Sequence, residues 1–185
     1  MGAKAICYTD TETTGLGDEH ELWELAIVKY EDDKKVAEYV KQFEVNLKGA
    51  DPLALRIGGF WERRDAWSRL GDHYAVREAY NLLDGAVLAG VNPGFDERFL
   101  TKFFRSHAFP VRNHHYTPFD VKTYALGVGH ATGLIELGEE PKTDRVFELF
   151  GVSISEENRH TAYGDAIAAR DLHMAAKRRI ANLKG

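Results

Sequence analysis

Covalent cross-links are all but excluded, because the chain has one cysteine, Cys7, in 185 residues. A lone thiol cannot form an internal disulfide, which fits a reducing compartment, and its place inside Ala5-Ile6-Cys7-Tyr8 reads as buried and inert. No run of about 18 apolar residues occurs, so no membrane span is expected. The opening MGAKAICYTD lacks the apolar core of a signal peptide, and Met1-Gly2 is not followed by the Ser or Thr of a myristoylation motif. A cytoplasmic protein is the expectation. A basic excess is missing as well: the formal net charge is −5, which argues against a surface built to wrap duplexes. It leaves room for a nucleic-acid enzyme, since acids clustered to hold divalent cations lower the count themselves. Repeats, low-complexity tracts and Pro/Gly/Ser-rich linkers are absent, so residues 1–185 read as a single domain with a sizeable core. What is present, 44% apolar and 29% charged residues, suits a folded chain and not a disordered one.

Periodicity divides the chain into strands and then helices. Residues 4–10, 21–31 and 36–45 alternate as three strands, the last two joined by a polar turn at Asp32-Asp33-Lys34-Lys35, which predicts an antiparallel meander. From Asp51-Pro52 the pattern turns helical, with Pro52 suited to a first turn. Residues 72–84 form a helix ending at Gly85, and AVLAGVN (86–92) is a short buried strand. Residues 95–109 carry a helical stripe at 95, 99, 100, 103 and 104; residues 119–129, 142–150 and 161–182 are further helices. Strands followed by strand–helix alternation predict an α/β fold, a mixed sheet covered by helices.

Three acidic segments stand out. In DTETTGL, Asp10 to Leu16, the two-residue repeat of a strand puts Asp10 and Glu12 on one face, where their charges repel unless a cation intervenes. Oxygen-only ligands suit Mg²⁺ or Mn²⁺. Taken alone, the pair also fits solvated strand-end charges, with Thr13 or Thr14 capping a turn. In NPGFDERFL, Asn92 to Leu100, Asp96 follows a strand at a helix start, where an acid also complements the helix dipole. In HTAYGDAIAARD, His160 precedes a helix and Asp165 lies one turn inside it; Ala162, Ala166, Ala168 and Ala169 would let that helix lie close to a strand. A helix-start histidine and a solvated aspartate are the plain alternative.

Together these segments resemble the three motifs of the DEDDh (DnaQ-like) exonucleases. D-x-E-T-T-G is matched at Asp10-Thr11-Glu12-Thr13-Thr14-Gly15, N-x-x-F-D-x-x-F-L at Asn92, Phe95, Asp96, Phe99 and Leu100, and H-x-A-x-x-D-A at His160, Ala162, Asp165 and Ala166. A sister group has tyrosine four residues before the last aspartate; Thr161 stands there, and Tyr163 has the wrong spacing. The resemblance spans residues 10 to about 172 and implies a ribonuclease H-like fold. It also implies a 3′–5′ exonuclease that hydrolyses single-stranded DNA or RNA ends to nucleoside 5′-monophosphates. Asp10, Glu12, Asp96 and Asp165 would hold two Mg²⁺ or Mn²⁺ ions, and His160 would be the general base. Thr13, Thr14, Gly15 and Leu16, with Asn92 and Phe95, would contact the terminal nucleotide. Single-stranded 3′ ends are the implied partner; a separate polymerase as a further partner is left open. The alternatives are a silent nucleic-acid-end binder and an endonuclease on the same fold.

Two other features stand out. GGFWERRDAWSRL (58–70) interleaves Trp61 and Trp67 with Arg63, Arg64 and Arg69, as a strand-tracking surface would. Tryptophans packing a helix while the arginines stay solvated is the preferred reading. His114-His115, taken as adjacent strand positions facing opposite sides, is read as ordinary.

Overall fold

The computed structural model describes residues 4–64, 67–68, 73–110 and 113–183, with backbone alone at 67–68. Arg69 and the predicted helix start at residue 72 lie outside the described residues, as does the Trp67 side chain.

The meander forms as the alternation predicts. Strands β1 (Ile6–Thr13), β2 (Leu22–Glu31) and β3 (Lys34–Phe43) pair antiparallel in sequence order. The turn between β2 and β3 is tighter than the predicted Asp32–Lys35. Only Asp32 and Asp33 form it, with φ 47° and 62°, and Lys34 already pairs with Glu31. Positive φ at two successive residues is the hairpin geometry that matches strand twist, and aspartate tolerates it. β1 also runs three residues past the predicted end, so Glu12 lies within the strand.

The remaining strands are parallel additions: β4 (Trp67–Ser68) on β3, β5 (Val87–Gly90) on β1, and β6 (Phe119–Asp120) on β5. Among the described residues the sheet reads β4-β3-β2-β1-β5-β6. β6 corrects the prediction of a helix over 119–129. Asp120 caps α5 (Val121–Ala131), its side chain accepting from the Thr123 amide at 2.9 Å, so the helix begins only after it.

Helices cover both faces. α3 (His73–Leu83) and α4 (Pro93–Ser106) pack on Cys7, Leu25, Ile27 and Leu88. α5, α6 (Thr143–Leu149) and α7 (Ala162–Asn182) pack on Tyr8, Ala26, Val28 and Ala89. The predicted close approach of α7 is present, with Ala162, Ala166, Ala168 and Ala169 all buried. Cys7 is buried too, donates to the Leu82 carbonyl, and desolvation raises its pKa to about 12, as an inert thiol requires.

A third, smaller cluster joins Trp23 and Leu55 to Phe60, which lie on β2, α1 (Pro52–Ile57) and α2 (Phe60–Arg63). It corrects the reading of residues 58–70. Phe60, not Trp61, is the buried aromatic, Trp61 is 51% exposed, and Arg63 is not solvated but held against Glu24. On a helix of one turn only one aromatic can face inward, and Phe60 takes that place, edge-on to Trp23 at 5.0 Å. His114-His115 lies in no strand. His114 is buried with Nε2 3.7 Å from Glu97 Oε1, and His115 bonds the Thr117 backbone, so both have local partners.

Candidate metal centre

The site forms at the C-terminal ends of parallel β1 and β5, where chain connections leave the sheet in opposite directions and a crevice opens. Asp10 and Glu12 come from β1. Asp96 and Asp165 are each the fourth residue of their helices, after Pro93 on α4 and Ala162 on α7. The starts of both helices point at the end of β1, and their positive dipole ends favour acids there. Gly90 ends β5 with no side chain for a physical reason: a Cβ would stand 2.8 Å from the Thr9 carbonyl oxygen and 3.9 Å from Asp96 Oδ2.

Asp10, Glu12 and Asp165 each place a carboxylate oxygen within 4.8 Å of the other two. Asp96 stands outside that trio but beside it. It is buried, accepts from Thr11 Oγ1 at 2.8 Å, and contributes the largest neighbouring-charge effect at Asp10. The four carboxyl groups are pushed upward together. Desolvation, then the charges of Asp96, Glu12 and Asp165, raise Asp10 well above the carboxylate range. Glu12 rises to about 8 through desolvation and the charges of Asp165 and Glu24. Asp96 rises to about 7 through desolvation, opposed by its hydrogen bonds, and Asp165 to about 6 through desolvation, opposed by the charge of His160. Among the described residues no Lys or Arg nitrogen lies within ion-pair distance of any of the four. Acids without an ion-pair partner, offering only oxygen donors, fit a hard divalent cation.

His160 has the left-handed backbone φ of 59° and lies exposed just before the α7 cap, Thr161, whose Oγ1 accepts from the Gly164 amide at 3.0 Å. It lines a cleft of about 260 Å³ with Asp10, Asp165, Arg159 and Asp144. The end of β1 is fixed by the threonines: Thr13 Oγ1 donates to the Gly15 carbonyl, and Thr14 exchanges bonds with Glu21. At Gly15, φ 156°, a Cβ would overlap the His20 ring. Leu16 follows with 72% exposure, and its carbonyl is held by Arg98 of α4 at 2.7 Å. Asn92 is the left-handed residue before α4, and Phe95 packs on Phe99 one turn along. The fold thus brings Asp10, Glu12 and Asp165 into one cluster, sets Asp96 and His160 at its margin, and places Thr13–Leu16, Asn92 and Phe95 around the strand ends.

Sequence reasoning missed Glu24, and with it the partner that holds Arg63. Glu24 is buried on β2 directly opposite Glu12. Arg63 Nη1 donates to both its oxygens, at 2.5 and 2.7 Å, while Gln42 Nε2 and the Ala162 amide donate at 2.8 and 2.9 Å. The signal available was a carboxylate inside the apolar run LWELAIV. Arg159, 3.4 Å from Asp144 at the cleft, was missed as well.

No family model matches this chain, and no curated protein does. Solved structures do. Escherichia coli exonuclease I in complex with a 5cy-dT13 oligonucleotide superposes with TM-score 0.69 at 16% identity, over 97% of this chain and 41% of that one. The same enzyme with a dA16 oligonucleotide gives 0.74 at 15% identity, over 98% and 42%. An apo exonuclease I gives 0.67 at 15%, over 97% and 44%. The chain therefore spans about two fifths of the length of these proteins. At such identity the likeness establishes the fold, which is ribonuclease H-like. Among the described residues no helix is long and apolar enough to cross a membrane.

Proposed function

We propose that this chain is a divalent-metal-dependent 3′–5′ exonuclease of the DEDDh type, acting on single-stranded nucleic-acid ends. The observation that carries the reading is the trio Asp10, Glu12 and Asp165 within 4.8 Å at the end of β1, with no Lys or Arg ion-paired to it among the described residues. The two oligonucleotide-bound exonuclease I structures of like fold support the substrate class. The comparisons offer no support for a polymerase partner.

Asp10, Glu12 and Asp165, with Asp96 beside them, would hold Mg²⁺ or Mn²⁺. When bound, a pair of such ions activates water and stabilises charge on the phosphate and the leaving oxygen. The protein's own groups do the rest. His160, at the cleft that Asp10 and Asp165 line, accepts the proton of the attacking water, a role that an imidazole nitrogen can fill. Exposed Leu16, on a loop pinned by Arg98 and by Lys102, which donates to the Asp18 and His20 carbonyls, packs against the last base. Asn92 and Phe95 flank the terminal nucleotide from the α4 side. A 3′ end seated this way leaves its final phosphodiester at the acids, and the product is a nucleoside 5′-monophosphate.

The test is digestion of 5′-labelled and 3′-labelled single-stranded DNA and RNA with Mg²⁺, Mn²⁺ or EDTA. The 3′ label should leave as mononucleotide, and EDTA should stop the reaction. Internal fragments would identify an endonuclease, and binding without cleavage a silent end-binder.

A further inference from the structure

Arg63 lies on α2, between the first and second motifs and in neither. Its guanidinium nonetheless joins its own segment to two distant parts of the chain. Nη1 holds both oxygens of Glu24, Nε and Nη2 donate to the Gly58 carbonyl, and Nη2 donates to the His160 carbonyl at 3.1 Å. The group is stacked over Trp23 at 4.9 Å, so little freedom remains to it. Glu24 completes the grip by accepting from the Ala162 amide, the first of α7. The turn His160-Thr161-Ala162 is thus held at its first carbonyl by Arg63 and at its last amide by Glu24.

That turn needs holding. His160 occupies the left-handed region, costly for a residue with a side chain and maintained only when its surroundings enforce it. Five residues on, Asp165 takes its position from the same helix start. Gly58, whose carbonyl Arg63 fixes, approaches Glu12 so closely that a Cβ there would stand 2.8 Å from Glu12 Oε2. One guanidinium therefore sets the backbone beside Glu12 and the backbone of His160 together.

We propose that Arg63, acting with Glu24, is a positioning residue for the hydrolysis: it holds the His160 turn over the acid cluster and touches neither substrate nor metal. The proposal rests on the exonuclease reading above. It assigns the 58–64 segment a role in holding the site, distinct from a strand-tracking surface or simple helix packing.

Arg63→Lys is the informative change. An ammonium can still pair with Glu24, but as a point charge it cannot also serve the Gly58 and His160 carbonyls. The kcat on a 3′-labelled oligonucleotide should fall roughly 10- to 100-fold, the order expected for a misplacement of about 1 Å. KM and the Mn²⁺-induced rise in melting temperature should stay as in wild type. In a His160→Ala background the same change should cost little more, because both act through one group. Amide exchange over residues 158–165 should quicken. If Arg63→Lys does not fold, the pair Arg63→Met with Glu24→Gln, which leaves no lone buried charge, is judged by the same readouts. Wild-type kcat with unchanged exchange, or a full additional loss in the His160→Ala background, overturns the proposal. If the wild-type protein cleaves no end with either metal, the exonuclease reading fails separately. Exchange then still decides: quickened exchange supports a held turn, and unchanged exchange overturns it.

Discussion

Removing one charge from the acid cluster should stabilise the metal-free protein, and Asp10→Asn is the change that shows it. Two unit charges 4.8 Å apart, the limit found within the trio, repel by about 3.5 kcal/mol at an effective dielectric constant of about 20. Asp10 faces Glu12 and Asp165 at that range, and Asp96 besides. The full repulsion is not felt near neutral pH, since Asp10 itself is raised well above the carboxylate range and Glu12, with a pKa of about 8, keeps most of its proton there. A net gain of about 1–3 kcal/mol remains, which for a chain of this size is a rise in melting temperature of roughly 2–12 °C. The sign of the pH dependence follows from the raised values. Between an ordinary carboxylate pKa of about 4 and the folded value of about 8, the folded state binds more protons than the unfolded chain. Stability of the metal-free protein should therefore fall as pH rises across that window, and Asp10→Asn should flatten the fall. Circular dichroism melts in EDTA from pH 5 to 8.5 measure both. Millimolar Mn²⁺ should raise the wild-type melting temperature by mass action and leave Asp10→Asn nearly unmoved. A variant that melts at or below wild type at pH 8 in EDTA would refute the repulsion argument.

Other consequences concern the same site and one buried histidine. Asp10→Ala, Glu12→Ala, Asp96→Ala and Asp165→Ala should each nearly abolish hydrolysis, and double variants should lose little more, because the acids act as one unit; a variant within tenfold of wild type removes that residue from the site. His160→Ala should lower kcat roughly 10²–10⁴-fold, while the Mn²⁺ shift in melting temperature survives. His173, whose Nδ1 shares a hydrogen bond with the Tyr8 hydroxyl among Phe119 and Tyr124, is lowered to about 4 by desolvation and then by the charge of Lys177. The unfolded chain takes up that proton near pH 6.5, so stability should be lost as pH falls from about 6.5 toward 4. The loss should be about 1–2 kcal/mol after allowance for screening, and acid melts of His173→Phe should lack it.

The acids were legible in the sequence because each lies where a local rule acts. The two-residue repeat pairs Asp10 with Glu12, and a helix start after a short strand positions Asp96. The alanine stripe of 162, 166, 168 and 169 brings α7, and with it Asp165, down onto the sheet. Strand and helix ends were off by a few residues where caps decide them, as at Asp120, which starts α5 after two strand residues. Glu24 and Arg63 were not legible. Their partnership spans 39 residues and depends on the β1–β2 register that sets Glu24 opposite Glu12, which no local period encodes. Arg63 looked like one solvated arginine among several because the feature that decides otherwise, Phe60 turning inward on a one-turn helix, is a matter of packing.

The most direct test of the central claim is a time course on a single-stranded oligonucleotide labelled at its 3′ end, with Mn²⁺, with EDTA, and with Asp10→Asn in Mn²⁺. Labelled mononucleotide should be the first product, in Mn²⁺ alone, if the chain is a metal-dependent 3′–5′ exonuclease. Release of label by Asp10→Asn at the wild-type rate, or its release in EDTA, would contradict it.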